Sequence, residues 1–254
     1  MTHDLNGKRA LITGGSRGIG QQLALDLAAS GARVAVNYHQ ASEAADQVVA
    51  DVIKAGGDAF AVQADIGQAD DVRRMFAEVD ARFGGLDVLV NNAGLSRDVS
   101  FLEMREEDWD AVIATNLKGP FLCCQAVARM MTERGDGTGR IINISAITSL
   151  VGRPNAANYC ASKGGVNALT RALAVELGPG ITVNAIALGF FDSPLVRELY
   201  TADQIATVEG GLPSGRLGAF SEVTALVRYL ASDAAAFVTG QTISLDGGQG
   251  IRMS

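Results

Sequence analysis

The sequence predicts a single-domain α/β fold, a doubly wound parallel sheet of about seven strands flanked by helices. Short apolar runs rich in β-branched residues alternate with longer segments of helical periodicity along the chain. Such alternation is typical of parallel sheets that helices cover on both faces. The chain has 254 residues, of which 48% are hydrophobic, and no linker or repeat interrupts the pattern. We therefore predict one domain over residues 1–254.

The first half of the chain supplies four strands and three helices. Residues 18–30 carry apolar side chains at a helical spacing. Residues 42–55 form the second predicted helix, with Ser42 as its N-cap. Residues 69–85 form the third, which ends at a glycine pair. The four strands are predicted from short apolar runs at residues 8–13, 32–38, 58–65 and 86–94.

The second half supplies three strands, at residues 139–145, 181–187 and 241–248, and helices at 106–134, 154–177 and 221–231. Its least patterned segment is residues 190–218, which follows the sixth strand. In an open α/β sheet, ligands bind beyond the carboxyl ends of the strands. This segment is therefore the predicted substrate lid. Its Phe190 and Phe191 either line the substrate site or pack in the core.

Composition and charge argue against several classes of function. The formal net charge is −7 and no basic run occurs, so neither nucleic acid nor an anionic membrane is an expected partner. No apolar run approaches ~20 residues and the N-terminus lacks a signal-peptide pattern, so a cytoplasmic location is expected. The three cysteines lack a C-x-x-C spacing and are expected to be reduced. With only two histidines in the chain, no metal site is expected.

A glycine-rich turn follows the first predicted strand. In "TGGSRGIG", residues 13–20, Gly14, Gly18 and Gly20 are spaced G-x-x-x-G-x-G, with Ser16 and Ile19 between them. Glycines permit a tight turn and a close approach of the backbone to a diphosphate, and the following helix N-terminus adds N–H donors and a positive dipole. The turn predicts a dinucleotide site, and the alternative is a plain tight turn.

The glycine-rich turn also matches a second motif. Gly14, Ser16 and Gly18 fit G-x-S-x-G, the nucleophile elbow of α/β-hydrolases. A hydrolase would need an acidic residue and then a histidine after the serine, and the only later histidine is His39, close in sequence. A hydrolase is therefore kept only as a second hypothesis.

The residues beside the glycine turn favour NADP(H) over NAD(H). NAD selectivity usually needs an acidic side chain about 20 residues after the glycines. Here the second strand ends in Asn37, Tyr38 and His39, which are expected to contact the cofactor and include no carboxylate. Arg17 lies inside the turn, where a cation can pair with a 2′-phosphate. The alternative is a solvated Arg17 and a loose selectivity.

A tyrosine and a lysine are placed for proton transfer. Tyr159 and Lys163 stand at i and i+4, on one face of a predicted helix. Hydride transfer to a carbonyl creates an alkoxide that needs a proton. A phenol has an unperturbed pKa near ~10, and a nearby ammonium is expected to lower it toward neutral pH. The alternative is an exposed helical pair without a function.

These motifs make the chain resemble the short-chain dehydrogenase/reductase family, of the classical type that includes 3-oxoacyl carrier-protein reductases and polyketide ketoreductases. The resemblance covers nearly the whole chain. It is carried by "TGGSRGIG" at 13–20, "NNAG" at 91–94, Asn116 in "IATNLKG", "YCASK" at 159–163, "NAIALG" at 184–189 and "ISLDGG" at 243–248. It implies a Rossmann-like fold and a homodimer or homotetramer built through the two long helices.

The resemblance also implies roles for single residues. Tyr159 would be the general acid/base, Lys163 would tune it and hold the nicotinamide ribose, and Asn116 would hold a water that links Lys163 to solvent. Further cofactor contacts are implied for Asp65, Ile66, Asn92, Ala93, Gly94, Gly189, Phe191 and Ser193.

Two positions depart from the family pattern. Relatives carry a serine thirteen residues before the tyrosine, and here that position is Ala146, one residue after Ser145. Alternation along a strand predicts that Ser145 points away from the site, which makes it a doubtful donor. The loss of one such donor commonly costs on the order of 10²–10³ in rate. Relatives also carry a proline where this chain has Leu188, which is expected to leave that loop freer.

Several explanations of the missing hydroxyl remain open: a deliberate mutation, a donor supplied by Ser145 or Thr148, a loss of redox activity, or a substrate with its own donor. A phenol beside the ketone, as in an aromatic polyketide, would be such a donor. The sequence therefore predicts an NADP(H)-dependent reductase that converts a small-molecule ketone to a secondary alcohol. The alternatives are a 3-oxoacyl thioester reductase and a non-catalytic dinucleotide-binding regulator.

Overall fold

The computed structural model describes residues 4–134 and 137–251, apart from the side chains of Pro194, Leu195 and Leu199. Seven strands form one sheet: β1 (Arg9–Ile12), β2 (Arg33–Tyr38), β3 (Asp58–Gln63), β4 (Val88–Asn91), β5 (Gly139–Ala146), β6 (Ile181–Leu188) and β7 (Thr242–Leu245). Their order is β3-β2-β1-β4-β5-β6-β7, and each neighbouring pair is parallel. The predicted fold class is confirmed.

Helices connect the strands and cover both faces of the sheet. A π-helical turn, Ala114–Lys118, joins the fourth helix to the fifth. Among the described residues the α-helices are α1 (Gly18–Ala29), α2 (Ser42–Lys54), α3 (Ala69–Phe83), α4 (Glu106–Ile113), α5 (Gly119–Glu133), α6 (Thr148–Val151), α7 (Ala157–Glu176), α8 (Pro194–Leu199), α9 (Ala202–Gly210) and α10 (Phe220–Ala231).

The strand order reverses between β1 and β4. The chain builds β1, β2 and β3 outward in one direction and then places β4 on the other side of β1. In doubly wound sheets, such a reversal opens a crevice at the carboxyl ends of the strands, where ligands bind. The glycine turn follows β1 and residues 92–94 follow β4, so both predicted cofactor segments border this crevice.

Two apolar clusters fill the space between the sheet and its helices. Leu27 of α1 and Val227 of α10 are fully buried in the first cluster, and Met75 of α3 is buried in the second. Successive side chains of β5 pack on opposite faces of the sheet, since Ile142 belongs to the first cluster and Ile141 to the second. This is the alternation that a strand covered on both faces requires.

Some predicted boundaries are wrong. Ser42 is not the N-cap of α2, because the helix begins at Ser42 itself, with Ala41 as N-cap and no side-chain capping bond. The helix predicted from residue 154 begins at Ala157, because a turn precedes it in which Asn155 has a positive φ of 59°. The glycine end of α3 is as predicted, with Gly84 in the left-handed conformation.

The segment 190–218 is more regular than its sequence pattern indicates. It contains two short helices, α8 and α9. Thr201 and Gln204 form a reciprocal capping box at the start of α9, a local signal that does not depend on an apolar stripe. The predicted lid is therefore a helical excursion between β6 and α10.

The stretch Glu106–Glu133 is the one described helix long and apolar enough to cross a membrane, judged by length and composition alone. Its first turn is acidic. Its later turns bury Cys123, Val127 and Met131 in the second core cluster, and it packs against α3 and α7. We therefore describe it as a core helix of the layer beside the sheet.

Candidate active site

The glycine turn has the geometry that a diphosphate requires. Gly14 and Gly18 have positive φ values of 62° and 57°, which glycine adopts readily. A Cβ atom on Gly20 would lie 2.2 Å from the carbonyl oxygen of Gly14, so no larger residue fits there. Since α1 begins at Gly18, its first-turn amides lack partners within the helix and face the turn. The three predicted glycines thus form a narrow turn, here called the glycine cradle, in which Gly14 and Gly20 pack closely and Gly18 faces open space.

Asn37 supports the glycine cradle through side-chain hydrogen bonds. Its side chain is 2% exposed, its Oδ1 accepts from the Gly14 N–H at 3.2 Å, and its Nδ2 donates to the carbonyls of Val62 and Ala64. The amide thus ties the turn to β2 and β3. The structure places Asn37 beneath the predicted cofactor site as a structural support.

The predicted selectivity residues lie at the rim of the crevice. Arg17 is exposed, and its guanidinium makes no hydrogen bond or ion pair with any described residue. Ser16 beside it is buried. Tyr38 is half-buried at the end of β2, and His39 after it is exposed. An exposed guanidinium without a partner among the described residues therefore lies at the rim of the glycine turn. Ile19 packs its side chain against the first core cluster.

The loops after β3 and β4 complete this edge of the sheet. The Asp65 carboxylate accepts from its own loop, at the Gly67 N–H, and Ile66 is buried. Asn92 donates through Nδ2 to the carbonyls of Thr13 and Gly14, at 2.9 and 3.1 Å. The Ala93 N–H also donates, to the Thr13 hydroxyl at 3.1 Å. These bonds fix the two loops that border the crevice.

Tyr159 and Lys163 lie on α7 as the sequence predicts. The ammonium nitrogen of Lys163 is 5.8 Å from the centre of the Tyr159 ring and donates to the carbonyl of Ile144 at 2.7 Å. Lys163 is 4% exposed, and its burial lowers its pKa to about 8. The lysine is thus held at the end of β5, near its tyrosine.

The phenol is less acidic in this arrangement than the sequence argument expects. Burial raises the pKa of Tyr159 above its ordinary value, while the guanidinium of Arg153 works in the opposite direction. Arg153 lies 5.7 Å from the ring centre, measured from Cζ. The sequence argument considered only a charged Lys163 and missed both the burial and the arginine, although Arg153 is a cation only six residues before the tyrosine.

Asn116 lies in the π-helical turn between α4 and α5. Its amide exchanges two hydrogen bonds with the backbone of Leu95, at 2.9 and 2.8 Å, and is fully buried. Gly94 lies between Asn116 and Lys163, since a Cβ there would be 3.3 Å from Asn116 Oδ1 and 3.6 Å from Lys163 Nζ. π-Helical turns are frequent at functional sites, and this one joins the β4 loop to α7.

The end of β5 shows where hydroxyl groups lie around Ala146. Ser145 is 2% exposed and donates to the carbonyl of Lys163 at 3.3 Å. Ser149 donates to the carbonyl of Ala146 at 2.6 Å and accepts from Asn167. The Thr148 Oγ1 is buried without a hydrogen-bond partner among the described residues. Of these three hydroxyls, that of Thr148 is the one not committed to the fold.

The residues after β6 are tightly packed. Leu188 is 9% exposed and pairs with Ala146 and Leu245 as a strand residue, so the expectation of a freer loop there is wrong. Leucine has the backbone N–H that proline lacks and can extend the sheet. A Cβ on Gly189 would lie 2.6 Å from the Cα of Asp246. The backbone is therefore closely packed at Gly189, one of the implied cofactor contacts.

Phe191 and Ser193 begin the lid. Phe191 is buried in the first core cluster and pairs with Gly218 as an isolated bridge. Its ring occupies the space that a Cβ of Gly218 would need. The hydroxyl of Ser193 accepts from the Val196 N–H as the N-cap of α8. Of the two readings left open by the sequence, core packing describes Phe191.

A cavity also lies at the opposite edge of the sheet. A space of about 410 Å³ borders Lys8, Asp87, Arg140 and Asp233 at the amino ends of the strands. It is remote from the glycine turn and from Tyr159, which lie at the carboxyl ends, and in this class of fold ligands bind at the carboxyl ends. Within the described ranges, no cluster of three or more His, Cys, Asp or Glu side chains could hold a metal ion.

Known proteins are similar in sequence to this chain over almost its full length. A family model described as enoyl-(acyl carrier protein) reductase matches residues 14–249. The 3-oxoacyl-[acyl-carrier-protein] reductase of Synechocystis sp. is 47% identical over 246 residues, 96% of this chain and 97% of that protein. A protein of the same name from Staphylococcus aureus is 47% identical over 245 residues, 95% of this chain and 97% of that protein.

Solved structures share the fold. A gluconate 5-dehydrogenase from Burkholderia cenocepacia, in complex with NADP and tartrate, is 38% identical with a TM-score of 0.92, covering 99% of this chain and 98% of that chain. A short-chain type dehydrogenase/reductase from Mycobacterium marinum is 40% identical with a TM-score of 0.91, at the same two coverages. The predicted oxidoreductase class is confirmed, and the chain belongs to the short-chain dehydrogenase/reductase family.

Proposed function

We propose that the protein is an NADPH-dependent ketoreductase that reduces a 3-oxoacyl thioester to the 3-hydroxyacyl thioester. The observation that carries this proposal is the position of Tyr159 and Lys163 on α7, beside the crevice that the glycine turn borders. The names of two relatives at 47% identity supply the substrate class. The description of the matching family model refers to enoyl reduction, so an enoyl thioester belongs among the test substrates.

Three features support NADP(H) as the cofactor. The end of β2 has no carboxylate to bind a ribose 2′-hydroxyl. Arg17 offers a guanidinium without a partner among the described side chains, at the rim of the glycine turn. A structural neighbour carries NADP in its crystal. The diphosphate would lie over the turn formed by Gly14, Gly18 and Gly20, where a Cβ on Gly18 would meet no atom within 4 Å.

The chain's own residues would manage the proton. When bound, NADPH would supply the hydride and become NADP⁺. As the carbonyl carbon accepts the hydride, its oxygen takes up the π electron pair, and Tyr159 donates its phenolic proton to that oxygen. Lys163 would stabilise the resulting phenolate, and a proton from solvent would restore the phenol. Asn116 would keep the path from Lys163 to solvent in place through its contacts with Leu95.

A second substrate class follows from Ala146. The hydroxyls of Ser145 and Ser149 are engaged with the fold, so neither compensates directly for the absent serine. A ketone with an adjacent phenol, as in aromatic polyketides, would hydrogen-bond its own carbonyl and replace part of the missing donor. We therefore keep phenolic ketones as the second candidate substrate.

The proposal includes a setting for the enzyme. We propose one catalytic domain over residues 1–254, a cytoplasmic location, and a homodimer or homotetramer. The exposed side chains of Trp109 and Phe121, on the two halves of the long helix, support self-association because exposed aromatics are enriched at interfaces. We propose that the segment 190–218 covers the substrate.

The test is NADPH oxidation by the purified protein with four substrates: a 3-oxoacyl thioester, an enoyl thioester, and aromatic ketones with and without an adjacent phenol. Tyr159→Phe is the matched variant, because it removes one hydroxyl and keeps the ring. We expect turnover of the 3-oxoacyl thioester and its loss by about 10²-fold or more in the variant, while NADPH binding, followed by nucleotide fluorescence, stays unchanged.

Other outcomes have definite meanings. Turnover of the phenolic ketone alone would support the second candidate. Turnover of the enoyl thioester alone would overturn ketone reduction. NADPH binding without any turnover, and no effect of Tyr159→Phe, would identify a non-catalytic regulator.

A further inference from the structure

The guanidinium of Arg153, which is paired with Asp98, lies over the ring of Tyr159. Arg153 precedes α7, and its Cζ is 5.7 Å from the ring centre. Its Nη2 donates to Asp98 Oδ1 at 2.7 Å and to the Ser96 hydroxyl at 3.3 Å. The Ser96 hydroxyl in turn donates to Asp98. A cation and an anion are therefore held together beside the proposed acid/base.

Two loops keep this pair in place. Asp98 belongs to the loop after β4, and Arg153 to the turn between α6 and α7. The Val99 N–H donates to the carbonyl of Asn155 at 2.8 Å. Asn158, fully buried, donates to the carbonyl of Arg97 at 3.0 Å. These contacts dock the two loops on each other, so the charges are held by backbone as well as by their mutual attraction.

The charged and titratable groups facing the phenol differ in how they act. Lys163, one turn along α7, has a pKa lowered to about 8, whereas the pKa of the half-buried Tyr159 is raised, so Lys163 loses its proton first. Arginine stays protonated throughout the working range of an enzyme. Arg153 favours the ionised phenol, whereas Asp98 and Cys160 disfavour it. Arg153 is thus the permanent positive charge among the described groups that act on Tyr159.

We propose that Arg153 is a positioning residue whose charge favours the phenolate form of Tyr159, and that Asp98 moderates this effect by partly neutralising the guanidinium. The inference rests on the proposed function of Tyr159 as acid/base. It assigns to a charge pair outside α7 part of the tuning that the family resemblance gives to Lys163 alone. The pair is partly exposed, with 37% of the Arg153 side chain and 43% of the Asp98 side chain accessible, so solvent weakens its field.

The test is the pH profile of alcohol oxidation, the direction that needs the phenolate. On the rising limb of the profile, Arg153→Met is expected to lower kcat/KM by about threefold to tenfold and to move the limb to higher pH. Asp98→Asn keeps the acceptor for Arg153 and removes only the charge, so it is expected to raise kcat/KM by about twofold to threefold and to move the limb to lower pH. Arg153→Lys keeps the charge and should restore most of the wild-type profile.

A second readout separates this inference from the proposed function. Near-ultraviolet absorbance of tyrosinate, with Tyr159→Phe as the blank, follows the ionisation of Tyr159 without any turnover. The same opposite displacements in Arg153→Met and Asp98→Asn are expected there. Displacements in one common direction, or none in either variant, would overturn the role of the charge pair. Full activity of Tyr159→Phe would instead overturn the proposed acid/base.

Discussion

The ammonium nitrogen of Lys163 lies 2.7 Å from the carbonyl oxygen of Ile144 and so fastens α7 to the end of β5. A charged group is thereby buried with an uncharged acceptor, at a residue that is 4% exposed. Burial without a counter-ion disfavours the protonated form, and the pKa of Lys163 falls to about 8. The burial of Lys163 beside Tyr159 therefore lowers the stability of the folded protein.

Lys163→Met is therefore expected to stabilise the protein at neutral pH by about 1–2 kcal/mol, after the lost bond to Ile144 is counted, and to abolish turnover. The pKa of Lys163 is lower in the folded state than its ordinary value of 10.5. Below pH 8 both states are charged and the full cost is present. Between pH 8 and 10.5 the folded state loses its proton first, so the free energy of unfolding of the wild type rises with pH relative to the variant.

Denaturant unfolding of both proteins at several pH values measures this difference. The two free energies should converge as the pH rises from 8 to 10.5. If they run parallel across that window, the pKa of Lys163 is not lowered in the folded state.

Ala146→Ser is expected to raise kcat/KM for a 3-oxoacyl thioester by about tenfold or more, because it restores a donor for the carbonyl oxygen. The gain should be smaller for a ketone with an adjacent phenol. Steady-state kinetics with both substrates measures the difference. Thr148→Val tests whether the uncommitted hydroxyl of Thr148 already acts as a donor. Since Thr148 Oγ1 has no partner among the described residues, its removal should leave the melting temperature almost unchanged.

The two variants together distinguish Thr148 from the substrate as the source of the missing donor. A Thr148→Val enzyme that is stable but at least tenfold slower, together with an Ala146→Ser enzyme that gains little, would identify Thr148 as the replacement donor. Equal gains of Ala146→Ser on both substrates would contradict the idea that the phenol supplies the donor.

The fold could be predicted from the sequence because each strand is a short apolar run and each long helix carries apolar residues at a helical spacing. The boundaries could not, since they depend on local bonds. Ser42 has the chemistry of an N-cap, yet α2 begins at that residue. At Leu188, knowledge of proline in relatives suggested a loop, but leucine has the N–H that a strand needs.

Parts of the site could be predicted where the residue type alone determines the role. They could not be predicted where the role depends on which residues pack around the side chain. The glycine cradle could be predicted from the spacing of Gly14, Gly18 and Gly20 after the first strand, and the structure agrees, because a Cβ at Gly20 would not fit. Asn37 was predicted to contact the cofactor, but its amide supports the turn from inside the sheet. The ionisation of Tyr159 depends on burial and on Arg153 and Asp98, which come from two different loops. No spacing in the sequence brings those loops together.

Arg17→Ala is expected to weaken the preference for NADPH over NADH by about tenfold to a hundredfold, because a guanidinium–phosphate pair would be lost. Its effect on NADH should be small. The ratio of kcat/KM for the two cofactors measures the change. Lys54→Ala, which removes an exposed cation from the last turn of α2, is the control for a general change in charge. Equal losses with both cofactors in Arg17→Ala would place Arg17 at the diphosphate instead of the 2′-phosphate.

Asp87→Asn is expected to destabilise the protein by about 2–3 kcal/mol, because it removes the shared anion of Arg9 and Arg134. The Asp87 carboxylate accepts from Arg9 Nε at 2.8 Å and from Arg134 Nη1 at 2.8 Å, and it is 19% exposed. Burial works to raise the pKa of Asp87, but the hydrogen bonds and charges of the two arginines outweigh it and hold the pKa below its ordinary value of 3.8.

A lowered folded-state pKa fixes the sign of the pH dependence. The stabilisation by Asp87 is fully present above its ordinary pKa and is lost as the pH falls through the folded-state value. Urea unfolding between neutral and acid pH should therefore show wild type and Asp87→Asn converging in acid. Asp70→Asn, in an exposed ion pair with Arg73, is the matched control and should change the free energy of unfolding by less than about 0.5 kcal/mol. Equal effects of the two variants would mean that burial adds nothing to the Asp87 ion pairs.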